Sequence, residues 1–302
     1  MYDFSPSEAA FAGWRWVFLR LDQAWLIVLG YALISVLSGL VVVGLAGPAL
    51  VDMQVAASAQ DWKAVLFVLN KPDTIAGFVI GTLLAIIVTI ITSTAAYRRM
   101  LYSQHKTVWG FALGQDERSL ALFFLAINLV NLLIIGTATL VTYLGATYGG
   151  WPSLAKLLIL VSTALLCLWL NLRLALIAPK MIDKPEARIA QAFNLTRGRV
   201  WKLFGAFVIS GVLGILALIV GTVLCAILFM PFIGLSGIGR ILNPDLSSLA
   251  ANMEFPILLY RLAMGLVNGA AIVAFCGTAT HAYLALMGRD PSTGEPLEHV
   301  AF

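Results

Sequence analysis

Charge is what this sequence has least of: Asp, Glu, Lys and Arg together make up 11% of its 302 residues. A soluble domain carries about twice that share, so a water-solvated globule is excluded. Carboxylates are missing from the middle of every long apolar run, which argues against proton- or sodium-coupled transport. Cysteine is scarce and dispersed. Cys167, Cys225 and Cys276 fall in separate apolar stretches, a placement that fits small buried side chains better than disulfides or metal ligands. Metal-ligand spacings, nucleophile motifs and phosphate-binding loops are also absent. No catalytic residue, metal or cofactor is therefore assigned, and the chain reads as non-enzymatic. The alternating ten-residue segments of a transmembrane barrel are not found either. Nor do the first 22 residues hold a basic stretch followed by a cleavable apolar core, so no removed signal peptide is expected.

What is present is apolar length. The chain is 61% hydrophobic, with a mean hydropathy of +0.94. Six apolar runs, at about 25–44, 75–97, 119–143, 153–178, 203–229 and 256–286, are each long enough to cross a hydrocarbon core of about 30 Å. The expected fold is all-α: a polytopic bundle of six transmembrane helices forming one membrane domain over residues 1–288. The tail 289–302 contains Pro291, Gly294 and Pro296 without periodicity and is expected to be disordered. Gly47-Pro48 is expected to break the helix just after the first span and Pro179 to stop the fourth, while Pro231, Gly234 and Gly237 loosen the far end of the fifth. Short surface helices are expected at 62–69 and from Asn243-Pro244-Asp245 onward. Gly77, Gly81 and Ala85, then Ala206, Ser210 and Gly214, then Gly265 and Gly269, recur at four-residue steps that let helices approach closely.

Amphipathic interfacial helices are expected before spans one, three and five, at 5–24, 104–118 and 185–202. In the first, Ser5 caps, Pro6 takes the first helical position and Glu8 follows three residues after the cap. Phe11, Trp14, Phe18, Leu21 and Trp25 share one face, and Glu8, Arg15 and Asp22 lie on another. This helix is expected to run straight into span one. The openings SPSEAA and KPEARI are alike, which suggests a threefold duplication; the competing reading is that interfacial helices simply look alike. Lys and Arg set the orientation. Two lie in the N-terminal helix, four after span two, seven within 171–204 and one in the tail, against Lys63, Lys71, Lys156, Arg240 and Arg261 on the other side. That bias places both termini in the cytoplasm.

The basic stretch 171–204 holds the candidate sites. Arg173 lies six residues before Pro179, hence about 9 Å inside the expected helix end. It is expected to snorkel or to pair with Asp116 or Glu117, the alternative being a substrate-anion site. Asn128, Asn131, Asn171 and Asn268 are amides within spans, suited to bonds between helices or to lining a pore. His281, beside Thr278 and Thr280, is either hydrogen-bonded or a proton relay. Arg188, Arg199 and Lys202 fall within about 60° on a helical wheel. Together with Arg197 and the apolar Phe193, Val200, Trp201 and Phe204, they suit anionic lipid headgroups, or serve topology alone. Gly198 offers a bend into span five.

Four motifs, YRRMLY at 97–102, LGQDERSL at 113–120, NLRLALIAP at 171–179 and AFNLTRGRVWKLF at 192–204, carry a resemblance covering most of residues 95–210. The chain resembles a broad group of bacterial multipass inner-membrane proteins similar to the membrane domain of glycerophosphoryl diester phosphodiesterases. The His-Arg opening and paired carboxylates of the catalytic barrel in such fusions are lacking here. The resemblance thus implies a membrane-embedded scaffold or partner in the bacterial inner membrane, not a hydrolase. Three functional classes stay open: a scaffold or envelope factor acting on lipids or a membrane protein partner, a small transporter or channel, and an intramembrane enzyme. Nucleic acid is not an expected partner, because the net charge of +4 is a topology signal.

Overall fold

A computed structural model describes residues 4–59, 61, 64, 67–68, 71–102, 114–184, 189–242, 245–246 and 248–289. Six of its helices are long and apolar enough to cross a membrane, so the all-α, multipass architecture holds. In chain order the helices are α1 (Pro6–Leu19), α2 (Leu21–Ser58), α3 (Pro72–Leu101), α4 (Gln115–Tyr148) and α5 (Ser153–Leu174). They continue with α6 (Ile177–Asp183), α7 (Ile189–Thr196), α8 (Val200–Leu242), α9 (Leu249–Asn252) and α10 (Phe255–Leu286). The sequence's expected surface helix at 62–69, its segment 104–118 and its tail lie largely outside the described residues.

Proline placement is where the helices depart from expectation. Pro48 lies inside α2 and Pro231 inside α8, although each was expected to break or loosen its helix. A proline removes one backbone donor. Ending a helix within hydrocarbon strands several donors and acceptors, so running through the proline costs less. Pro179 likewise sits within α6, and the interruption falls four residues earlier, at Ala175 and Leu176. Pro179 has no N–H to offer the Ala175 carbonyl. The turn ahead of it tightens instead, with the Ala175 N–H donating to the Leu172 carbonyl at 3.4 Å.

The chain divides into two compact units whose boundaries fall inside helices. Unit 2, Trp14–Ser93 and Gly211–Ala274, is built on close backbone approach. A Cβ on Gly77 would lie 2.1 Å from the Cβ of Ala46, and one on Gly81 would lie 2.9 Å from Val42. Gly265 and Gly269 of α10 face Ala32 and Tyr31 of α2 in the same way. The four-residue spacing of small residues therefore marks real helix contacts. In this unit α1 and α2 are separate helices, interrupted at Arg20. The interruption is slight, since the Arg20 carbonyl accepts from the N–H groups of Gln23 and Ala24.

Unit 1, Met1–Gly13, Thr94–Ser210 and Phe275–Phe302, carries the candidate site. Its core gathers Phe4 and Ala9 from the N-terminal region, Leu176, Leu203 and Ala206 from the middle, and Ala282 to Leu286 from the end of α10. Gly277 of α10 meets Gly13 of α1 so closely that an added Cβ would lie 2.5 Å from its Cα. Ala9, Ala10 and Trp14 are buried while Glu8 and Arg15 are exposed. The expected aromatic stripe is split, for Phe11 and Phe18 face outward. By contrast, α4 and α5 are apolar and outward-facing along most of their length.

Candidate functional site

The site forms where α5 ends. α5 needs about twenty residues, roughly 30 Å, to run from Ser153 to Arg173, and it stops one residue later. Arg173 thus sits at a helix end, not about 9 Å inside one. Beyond it the chain turns through Ala175 and Leu176 into α6, and α7 folds back against α5. Arg173 Nη1 donates to the Phe193 carbonyl at 3.3 Å and to Thr196 Oγ1 at 3.4 Å. The buried Thr196 hydroxyl in turn donates to the Arg173 carbonyl at 3.5 Å. The guanidinium lies over the Trp169 ring at 5.5 Å, and Trp169 packs on Phe193 at 6.3 Å. Arg173 Nε is enclosed and has no hydrogen-bond partner.

The expected ion pair of Arg173 with Glu117 is corrected. Glu117 is taken by Arg98: Nη2 donates to Oε2 at 2.7 Å, Nη1 bonds Oε1, and the Gly114 N–H donates to Oε2 at 2.9 Å. Arg98 ends α3 and Glu117 begins α4, so the acid finds its cation on the preceding helix. The side chain of Asp116 lies outside the described residues. What joins α4 to α5 is an amide pair. Asn131 Nδ2 donates to Asn171 Oδ1 at 3.4 Å, and Asn171 Nδ2 donates back to Asn131 Oδ1 at 3.3 Å. Asn128 and Asn268 instead donate within their own helices, to Phe124 and Met264 carbonyls.

Between α5 and the start of α8 lies a groove of about 490 Å³. α5 contributes Leu165, Leu168, Trp169, Leu172 and Arg173; Gly198, Val200, Trp201 and Phe204 come from the turn and from α8. The spacing of 165, 168 and 172 puts three leucines on one helix face. Among the described lining residues Arg173 alone brings charge. Among the described residues no carboxylate pairs with it.

The basic turn beside the groove departs from a continuous helical wheel. α7 stops at Thr196, residues 197–199 form a turn, and Gly198 takes φ +76°. Gly198 therefore supplies the bend expected of it, in a conformation that side chains with a Cβ rarely adopt. Arg197 is exposed, Arg199 and Lys202 are half-buried, and Trp201 is 82% exposed. Arg188 lies outside the described residues.

One node was not found from sequence. The Asp183 carboxylate, 6% exposed, accepts from Arg289 Nη1 at 2.9 Å and from the Tyr283 hydroxyl at 2.7 Å. Tyr102 donates to the neighbouring Ile182 carbonyl at 3.0 Å. Arg289 is thus held in place, although the sequence assigned it to a disordered tail. Pairings across about 100 residues leave no local signal; only the acid ending a short helix and the base ending a long one were there to see. Among the described residues no group of three or more His, Cys, Asp or Glu could hold a metal ion. No family model, curated protein or solved structure matches the chain.

Proposed function

We propose that this is a non-enzymatic, lipid-associated protein of the bacterial inner membrane, with both termini in the cytoplasm, that holds an anionic phospholipid headgroup at the end of α5. The observation that carries the reading is Arg173. It lines an apolar groove, and no carboxylate pairs with it among the described residues. A guanidinium at headgroup depth in such a setting suits a phosphate, which accepts paired, charge-assisted hydrogen bonds. Arg197, Arg199 and Lys202 beside it add attraction of about 1 kcal/mol each near an anionic surface, and the exposed Trp201 is of the type that anchors at that depth.

Transport is the second reading, and the amides bear on it. A pathway would join Asn128, Asn131, Asn171 and Arg173, yet Asn131 and Asn171 are engaged with each other and Asn128 bonds within its own helix. None of the three amides lines the groove. This arrangement favours a binding scaffold. The test is mass spectrometry of the full-length protein extracted in native membrane patches. Wild type is expected to be enriched in anionic phospholipid over the bulk membrane, and Arg173→Gln is expected to lose that enrichment. Bulk lipid composition around both proteins overturns the proposal.

A further inference from the structure

We propose that the groove between α5 and α8 takes a single acyl chain of an anionic phospholipid, lying beside Leu165, Leu168 and Leu172, while the second chain stays in the bilayer. This rests on the lipid-associated reading above and assigns what that reading leaves open, namely how many chains are recognised. Volume gives the first argument. About 490 Å³ is the range of a single drug-sized ligand; it has room for one long chain but not for a two-chain lipid. Geometry gives the second. The leucines descend from Arg173 to Leu165 over about 12 Å of helix, so a chain whose phosphate rests on Arg173 lies along them. Charge agrees with both. Among the described lining residues the one charge, Arg173, stands at one end of an otherwise apolar trough, which matches an anionic head on an apolar tail.

The lining also permits a clean test. Leu165 is 60% and Leu168 is 42% exposed, so larger side chains at these positions fill the groove without entering a packed core. Full-length protein in detergent micelles is titrated with phosphatidylglycerol, its single-chain lyso form and phosphatidylcholine, and binding is read by native mass spectrometry. Wild type is expected to bind the one-chain and two-chain anionic lipids within about threefold of each other, and phosphatidylcholine roughly tenfold more weakly. Leu168→Trp and Leu165→Phe, each checked for unchanged helicity and elution, are expected to weaken both anionic lipids in parallel. Two-chain binding that persists in both filled variants, or that exceeds one-chain binding by about a hundredfold, overturns the single-chain assignment while leaving the lipid-associated reading intact. Equal wild-type binding of phosphatidylglycerol and phosphatidylcholine overturns that reading and this inference together.

Discussion

Glu117 is 7% exposed, and Arg98 meets it with both terminal nitrogens while the Gly114 amide occupies the same carboxylate. A buried pair of this kind stabilises little relative to an apolar pair. Removing one partner is costly, because the other is left charged and dry. Glu117→Gln is therefore expected to lower stability by about 3 kcal/mol, read as denaturant unfolding in micelles, and Arg98→Met on that background to recover part of the loss. An unchanged midpoint for Glu117→Gln would contradict the role given to the pair. At this scale the sequence was half legible. It marked Arg173 as a cation and offered Glu117 as its acid, but Arg98 bonds that carboxylate instead. Choosing between the two arginines requires the packing of α3 on α4, which no local pattern encodes. The amides were half legible too: Asn131 and Asn171 meet across helices, whereas Asn128 and Asn268 are served by carbonyls one turn back in their own helices.

Among whole helices, small residues proved more informative than prolines. A methyl added at Gly77 meets Ala46 at 2.1 Å, so α2 and α3 would have to part. Gly77→Ala is expected to cost about 1–3 kcal/mol, as overpacking does. Gly136→Ala, with nothing within 4 Å of the added carbon, is expected to be neutral or mildly stabilising. The comparison is a thermal-unfolding measurement in one detergent, and equal shifts for the two variants would remove Gly77 from the interface. Four-residue spacing exposed these contacts because period and face are local properties of a helix. Proline misled for an equally physical reason. Its helix-breaking habit is learned from water, where freed backbone groups find solvent, and hydrocarbon offers none. Hence α2 and α8 continue through Pro48 and Pro231, beyond their expected ends.

For the molecule as a whole, hydropathy and length sufficed to count six spans. The sorting of those spans into two units could not be read, because unit 1 is assembled from three separated pieces of chain. Orientation, which rests on the Lys and Arg bias, is open to direct measurement. With impermeant thiol reagent on intact cells, Tyr148→Cys, at an 83% exposed position, is expected to label from outside. Lys184→Cys, also at an exposed position, is expected to label only after permeabilisation. The opposite pattern would invert the topology and move the basic turn to the outer leaflet.

The Asp183 node sets an order of manufacture. Its acid leaves the ribosome 106 residues before Arg289, the cation that pairs with it, and 100 residues before the Tyr283 hydroxyl. Throughout that interval spans five and six are still being made, and the carboxylate has neither of these donors. Unit 1 is therefore finished last although it contains the first residues of the chain. A polypeptide truncated before the sixth span would leave Asp183 without either donor.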